Sequence, residues 1–156
     1  MLKPEEIPSL QIWKRENLSI ETQKRPLEVI LDSSFLFIPY KFKIDIFEAL
    51  EKVFNRRFEP IVLSVTKDEL REITKRRSPK LRKQAAFALK LSQKCHQMKV
   101  ERCGDESHDD VIVRIASEFG YCVATNDRLL KRRLRCLSVS VVYLRQKSYL
   151  AVEGVI

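Results

Sequence analysis

Short apolar segments that alternate with longer segments of helical periodicity constrain the fold of this chain more than any other sequence feature. The strand-like segments occupy residues 27–31, 60–65, 121–124 and 139–144, and amphipathic patterns separate them. Parallel strands need a helical crossover between them, so this order predicts βα units on a mostly parallel sheet. The sequence therefore predicts an α/β fold in which helices cover both faces of the sheet.

Caps and apolar spacing predict further boundaries within this alternation. Thr66 occupies the expected N-cap position of one helix, and Glu69, three residues later, would complete a capping box. The spacing of apolar residues predicts one long helix over 80–98, followed by a short strand at 99–103. Gly120 suits the left-handed position that ends the next helix. These boundaries determine which side chains follow each strand.

The length and composition of the chain indicate one domain preceded by an extension. The chain has 156 residues, and 44% of them are hydrophobic, which is enough for one buried core. Residues 1–26 contain three of the six prolines and the single tryptophan, Trp13, a composition that predicts an N-terminal extension. We therefore expect the folded domain at 27–150 and a short C-terminal tail at 151–156.

The chain has no apolar run of the roughly 20 residues that a membrane-spanning helix requires. Its N-terminal segment is too polar and acidic for a signal peptide. The four cysteines show no paired spacing, as expected in a compartment where thiols stay reduced. The sequence therefore predicts a cytoplasmic protein with no membrane contact.

Acidic residues stand at or near the point where predicted strands end. Asp32 directly follows the first strand, and Glu69 lies in the first helical turn after the second. Asp109 and Asp110 open the helix that precedes another predicted strand, and Asp127 lies just beyond that strand. Because ligands bind at the carboxyl ends of the strands in such sheets, we expect these side chains to meet at one edge.

A cluster of carboxylates is costly unless cations neutralise the repulsion between them. Mg²⁺ and Mn²⁺ are the hard, oxygen-preferring ions that suit such a site. One or two of these ions would activate water for attack on a phosphodiester and stabilise the leaving oxygen. Each acid by itself could also be a cap at a helix N-terminus, and Asp110 competes with Asp109 for the ligand position. An acidic cluster on a chain of net charge +9 favours the metal site.

Basic side chains concentrate in the helix that follows Asp127. Residues 128–135 contain no acid and five basic residues, namely Arg128, Lys131, Arg132, Arg133 and Arg135. Neighbouring positive charges repel one another, so we expect this segment to bind the phosphate backbone of a nucleic acid. The alternative is a solvated helix face. A second basic segment, 71–83, is open to the same two interpretations.

A zinc site is an alternative to the carboxylate cluster. Cys95, His96, Cys103 and His108 provide ligand atoms, but the first two are adjacent and no Cys-x-x-Cys pair occurs. We therefore expect no zinc, and we expect His108 to touch substrate or to tune a ligand in the carboxylate site. Phe42 is assigned to core packing rather than to base stacking.

Four segments resemble the motifs of a known family. They are residues 29–36, which run from a strand through Asp32; 68–73, with Glu69; 109–116, which begin at Asp109; and 123–134, with a Thr-x-Asp turn and a basic helix. Together they resemble the PIN domain family of ribonucleases over about residues 27–147. The segment 141–147 is similar to the archaeal and eukaryotic branch that includes endonucleases of small-subunit rRNA processing.

This resemblance implies a three-layer α/β/α sandwich and a metal-dependent endoribonuclease that hydrolyses phosphodiester bonds of single-stranded RNA. It implies Mg²⁺ or Mn²⁺ as cofactor, with Asp32, Glu69, Asp109 and Asp127 as catalytic residues and metal ligands, and Asp110 as a further ligand. Single-stranded RNA, including pre-rRNA, is the expected partner, together with a second copy of the chain and ribosome-assembly proteins. A non-catalytic PIN scaffold that binds pre-ribosomal RNA or proteins is one alternative, and a toxin-type PIN ribonuclease is another. A receiver-like signalling domain is disfavoured because no acidic pair follows the first strand.

Overall fold

The computed structural model describes residues 25–156, which form a six-stranded sheet with seven helices around it. In chain order the elements are β1 (Leu27–Leu31), α1 (Ser33–Leu36), α2 (Ile38–Phe42), α3 (Ile46–Phe54), β2 (Phe58–Leu63), α4 (Ser64–Thr74), α5 (Pro79–Ser92), β3 (His96–Met98), α6 (His108–Phe119), β4 (Cys122–Ala124), α7 (Arg128–Cys136), β5 (Val141–Arg145) and β6 (Tyr149–Glu153). Trp13 and the rest of the predicted extension before residue 25 lie outside the described residues. No helix within 25–156 is long and apolar enough to cross a membrane.

The strands lie in the order β3-β2-β1-β4-β5-β6. The pairs β1–β2, β2–β3, β1–β4 and β4–β5 are parallel, and β6 is antiparallel to β5. The prediction of an α/β fold with a mostly parallel sheet is therefore confirmed. The chain order reverses between β1 and β4, and such a switch point creates a crevice outside the carboxyl ends of the two strands. Asp32 and Asp127 follow these two strands.

Strand β1 lies at the centre of the sheet and is buried on both faces. Val29 and Leu31 pack into the same core as Leu50 of α3, whereas Ile30 packs into the opposite core with Ile112 of α6. All five side chains are completely buried. Burying a large aliphatic side chain contributes about 1.5–3 kcal/mol, so hydrophobic packing fixes the position of β1. The residue that follows β1 is fixed with it.

The segment between α5 and α6 differs from the sequence-based expectation. Helix α5 ends at Ser92 rather than at residue 98. Two side chains satisfy carbonyl groups at its end: Ser92 Oγ donates to Leu89 O, and Gln97 Nε2 donates to Ser92 O. Residues His96–Met98 form β3, parallel to β2, and residues 99–103 form no strand. The predicted order of one helix and then a strand is therefore confirmed, but the predicted helix end at residue 98 and the predicted strand bounds of 99–103 are wrong. The sequence His-Gln-Met has no apolar alternation, so this short edge strand lacks the pattern that predicts strands.

Helix α4 begins two residues before Thr66, which is therefore not its N-cap. The N-cap is Leu63, which forms no side-chain capping bond, so the predicted capping box is wrong. Ser64 accounts for the early start, because its Oγ donates to Val100 O at 3.0 Å and accepts from Val100 N at 2.9 Å. Thr66 and Glu69 lie inside the helix and, three residues apart, share one of its faces.

The sequence pattern does not predict β6, which pairs with β5 and extends past residue 150 into the segment expected to be a tail. In the turn between the two strands, φ is 53° at Gln146 and 55° at Lys147. Hairpin turns with such left-handed residues usually contain Asn or Gly, so Gln-Lys lacks the expected signature. The predicted role of Gly120 is confirmed, because it ends α6 with φ of 70°.

Candidate functional site

A cavity of about 590 Å³ lies at the carboxyl ends of β1 and β4. Its lining includes four carboxylates, those of Asp32, Glu69, Asp109 and Asp127. The first follows β1, the last follows β4, and the other two lie on α4 and α6. The structure therefore brings together the four acids that the sequence singled out, whereas their roles as metal ligands stay predictions.

Asp32 is buried, and hydroxyl groups fix its carboxylate. Its Oδ2 accepts hydrogen bonds from Ser34 Oγ at 2.7 Å and from Thr125 Oγ1 at 2.9 Å. Ser34 Oγ also accepts from Asn126 N at 2.9 Å, which links the residues after β1 to those after β4. The backbone N of Asp32 donates to Ala124 O at 3.0 Å. Asp32 is therefore held in one position before any ligand arrives.

Glu69 presents an oxygen without a hydrogen-bond partner. Its Oε2 is buried and lies 3.1 Å from His108 Nδ1, close enough for an ion pair but not aligned for a hydrogen bond. Burial raises the pKa of Glu69; the charge on His108 opposes this, and the charges of Asp32 and Asp109 add to the rise. A cation placed beside Oε2 would remove both the desolvation cost and the repulsion.

His108 lies at the centre of this acidic group. Its Nε2 is 2.8 Å from Thr66 Oγ1, and its Nδ1 is 3.1 Å from Glu69 Oε2 and 3.5 Å from Asp109 Oδ1. Burial lowers the pKa of His108, but the hydrogen bond to Asp109 and the charges of Glu69 and Asp32 outweigh it and raise the value above its usual range. His108, Asp32 and Asp109 each place a ligand atom within 4.8 Å of the others. The group that could hold an ion therefore combines carboxylate oxygens with one imidazole nitrogen.

Asp109 and Asp110 have different surroundings although they are adjacent. Asp109 lines the cavity. Asp110 Oδ2 accepts from Ser107 N at 2.9 Å, and Ser107 Oγ accepts from Asp110 N at 3.1 Å, which completes a capping box. Asp110 Oδ1 also accepts from Arg133 at 2.7 Å. Hydrogen bonds from Ser107 and Arg133 lower the pKa of Asp110. The structure thus engages Asp110 as a helix cap and an ion-pair partner, away from the cavity lining.

Asp127 combines a structural contact with a place in the cavity. It is the N-cap of α7, and its Oδ1 accepts from Leu129 N at 2.8 Å and from Leu130 N at 3.1 Å. Both bonds use Oδ1, so the cap leaves Oδ2 for a ligand. The helix amides orient the carboxylate, and their partial positive charge stabilises it.

Comparison with known proteins identifies the family. A family model described as a PIN-like domain matches residues 29–147. The chain belongs to the PIN domain family. The resemblance of its motifs to this family is thereby confirmed, and the cavity with four carboxylates lies inside the matched region.

Relatives of this PIN domain include a ribonuclease and an rRNA-processing protein. Ribonuclease VapC4 from Methanocaldococcus jannaschii is 31% identical over 130 residues, which cover 83% of this chain and 98% of VapC4. The rRNA-processing protein fcf1 from Schizosaccharomyces pombe is 26% identical over 110 residues, which cover 70% of this chain and 54% of fcf1. This chain therefore spans about half the length of fcf1. Among solved structures, the PIN domain endonuclease Utp24 superposes with a TM-score of 0.70 and 26% identity, over 84% of this chain and 94% of that chain.

The five basic residues predicted to bind RNA differ in whether other groups of the protein engage their charges. Arg133 pairs with Asp110, and Arg135 donates to Val139 O at 3.0 Å. Lys131 Nζ lies 3.2 Å from Glu153 Oε1 and 3.7 Å from the centre of the Tyr143 ring. The remaining two, Arg128 and Arg132, are exposed. The protein itself therefore supplies acceptors for three of the five charges, and RNA binding by the set stays a prediction.

Sequence reasoning did not single out several residues of this PIN site. Ser34 contacts Asp32, and Thr66 contacts His108. Lys41 lines the cavity. Phe42 packs against the core, as expected, but it also lines the cavity. The Ser-Ser pair after Asp32 was a usable signal for Ser34, because small hydroxyl residues beside a buried acid commonly satisfy it. The sequence marked Thr66 as a helix cap and gave no signal for its contact with His108, which is 42 positions away.

Proposed function

We propose that this PIN domain is a metal-dependent endoribonuclease that hydrolyses single-stranded RNA in rRNA processing or RNA turnover. The observation that supports this most directly is the convergence of Asp32, Glu69, Asp109 and Asp127 on one cavity at the switch point of the sheet. Relatives named as a ribonuclease and an rRNA-processing protein supply the substrate class. Pre-rRNA as substrate, a homodimer, ribosome-assembly partners and a cytoplasmic location remain predictions.

The residues present fit a divalent cation. Glu69 Oε2 is buried without a hydrogen bond, and three further carboxylates share its cavity. Oxygen ligands of this kind suit Mg²⁺ or Mn²⁺. A bound ion of this class lowers the pKa of water and stabilises developing charge on the phosphate.

The chain itself orients the reacting groups. Ser34 and Thr125 fix Asp32, and the amides of α7 fix Asp127, so neither carboxylate needs to reorganise when a substrate binds. Such preorganisation is a main source of electrostatic catalysis. The exposed Lys41 also lines the cavity and supplies a positive charge for the scissile phosphate.

The direct test is cleavage of a labelled single-stranded RNA by the purified chain with Mg²⁺ or Mn²⁺. We expect internal cleavage that EDTA abolishes and that excess metal restores. Cleavage that persists in EDTA would contradict the metal mechanism. Binding of RNA without cleavage under any of these conditions would favour the alternative, a non-catalytic scaffold.

The nitrogen of His108 gives this metal site a testable preference. Imidazole favours Mn²⁺ over Mg²⁺, which keeps mainly oxygen ligands. We expect His108→Asn to weaken Mn²⁺ binding by about tenfold, the lower end of effects typical at metal sites, and to change Mg²⁺ binding less. Titration calorimetry with each ion measures both affinities. An unchanged ratio of the two would exclude His108 as a ligand.

The different surroundings of Asp109 and Asp110 allow a second prediction, which compares a matched pair of variants. We expect Asp109→Asn to slow RNA cleavage by about tenfold, as for loss of a partly exposed metal contact. Asp110→Asn should change the rate by less than about threefold, because Asp110 lies outside the cavity lining and an asparagine oxygen can still accept from Ser107 N. Initial cleavage rates at saturating metal decide the matter. A larger loss in Asp110→Asn would assign the principal ligand to Asp110 instead.

A further inference from the structure

A second cavity, of about 500 Å³, adjoins the metal-site cavity. The two cavities share Phe42, Asn126 and Asp127 as lining residues. The second cavity lies between the start of α7 and the end of β5 with the β5–β6 turn, residues 146–148. A chain that passes through the first cavity can therefore continue into the second over a shared wall.

The charge of the second cavity is opposite to that of the first. Four basic residues line it, Arg128 and Lys131 from α7 and Arg145 and Lys147 from the β5–β6 hairpin. The acid in its lining is Asp127, whose Oδ1 is engaged by the amides of α7. Cations from two separate elements that face one cavity repel each other, and an anion between them removes that cost. Phosphate is the anion that such clusters bind in nucleic acids.

Lys131 has a different role from the other three cations. Its ammonium group lies over the Tyr143 ring at 3.7 Å and beside Glu153 at 3.2 Å, so it connects α7 to both strands of the hairpin. It is a positioning residue that holds the two walls together. Arg128, Arg145 and Lys147 are exposed and, within residues 25–156, form no salt bridge. Their charges remain available to a ligand.

The backbone of the β5–β6 turn supports a binding role for its side chains. Gln146 and Lys147 both adopt left-handed φ, which costs about 1–2 kcal/mol for each such residue relative to an ordinary conformation. Gly or Asn at these positions would make the same turn with less strain. Strained residues tend to persist where they serve a function. With the turn in this conformation, Lys147 lines the cavity together with Arg145.

We infer that the second cavity is a phosphate-binding subsite for the RNA strand that flanks the scissile bond, with Arg128, Arg145 and Lys147 as its direct contacts. This inference rests on the proposed nuclease function. Phe42 lines both cavities, at the boundary that the strand would cross. The hairpin thereby becomes part of the substrate site, and the subsite sets the path of the strand on one side of the metal cavity.

The test compares Arg145→Gln/Lys147→Gln with a charge-matched control, Lys52→Gln/Lys90→Gln, whose lysines are exposed on α3 and α5 and line neither cavity. Binding of a single-stranded oligoribonucleotide is measured in EDTA by fluorescence anisotropy over a series of salt concentrations. Each lost phosphate contact lowers the slope of log K against log salt by about 0.7, so the hairpin variant should lose about 1.4. The control should keep the wild-type slope. Equal slopes in the two double variants, or no measurable binding by the wild type, would overturn the subsite.

A small substrate separates this inference from the proposed function. Bis(p-nitrophenyl) phosphate contains the scissile bond but no flanking nucleotides. We expect its hydrolysis to be unchanged in the hairpin variant, while RNA cleavage at subsaturating substrate falls by about tenfold, an effect of about 1.4 kcal/mol. If the wild type hydrolyses neither substrate, the nuclease proposal fails while the salt slopes still decide the subsite. Equal losses on both substrates would place the hairpin's effect at the metal site and overturn the subsite.

Discussion

Asp32→Asn should abolish RNA cleavage without lowering the stability of the fold. Asp32 is buried at the switch point, whereas the other three cavity carboxylates are partly exposed. An asparagine oxygen can still accept hydrogen bonds from Ser34 and Thr125, so the local structure should be retained. The variant loses the negative charge that would bind a cation, and we expect a loss of at least about 100-fold in the cleavage rate.

Stability measurements separate this loss from misfolding. Removing one charge from a carboxylate cluster relieves repulsion, so in EDTA the melting temperature of Asp32→Asn should equal or exceed that of the wild type. Added Mn²⁺ should raise the melting temperature of the wild type, because it binds the folded state, and should raise that of the variant much less. Asp45→Asn is the matched control, since Asp45 is an exposed N-cap of α3 away from the cavity. Wild-type cleavage by Asp32→Asn would contradict the proposed site.

The fold and the carboxylates of the site could be predicted because their signals are local. Strand β1 has the predicted bounds, since a run of apolar residues buried on both faces is visible in the sequence. Asp32 directly follows β1, and Asp127 caps the basic helix α7. Both elements have specific sequence patterns, so the parallel sheet places the two carboxylates at one edge. The strand order therefore brings acids that are far apart in the sequence into one cluster of carboxylates.

The remaining features depend on partners that are distant in sequence. The contact between Thr66 and His108 joins residues 42 positions apart, and Arg133 engages Asp110 from 23 positions away. Neither contact leaves a periodic pattern. Helix α4 begins early because Ser64 bonds to the backbone of Val100, which local cap rules do not consider. Tertiary hydrogen bonds decided these details, and local propensity did not.

The β5–β6 hairpin was missed for a related reason. Its turn uses Gln146 and Lys147 in conformations that usually require Asn or Gly, so the residues that mark a hairpin are absent. Lys147, which stands where such a turn usually has Asn or Gly, also places a positive charge beside the second cavity. This departure from local rules lies on the surface that we assign to substrate binding, as is common at functional sites.

Asp127 allows its structural and catalytic roles to be separated by two substitutions at one position. Asp127→Asn keeps the cap, because asparagine is as good an N-cap as aspartate. Asp127→Ala removes the bonds to Leu129 N and Leu130 N as well as the charge. We expect both variants to lose RNA cleavage by about 100-fold, since both lose the cavity carboxylate. Only the alanine variant should lose stability, by about 1 kcal/mol for a lost cap.

Paired melting and cleavage measurements on the two variants test this separation. A loss of about 1 kcal/mol corresponds to a decrease of about 2–4 °C in melting temperature for a chain of this size. Asp127→Asn should melt within about 1 °C of the wild type in EDTA, because its cap is intact. If Asp127→Asn cleaved RNA at the wild-type rate while Asp127→Ala did not, Asp127 would act through the start of α7 alone. The metal cavity would then be formed by Asp32, Glu69 and Asp109, with His108 as its fourth member.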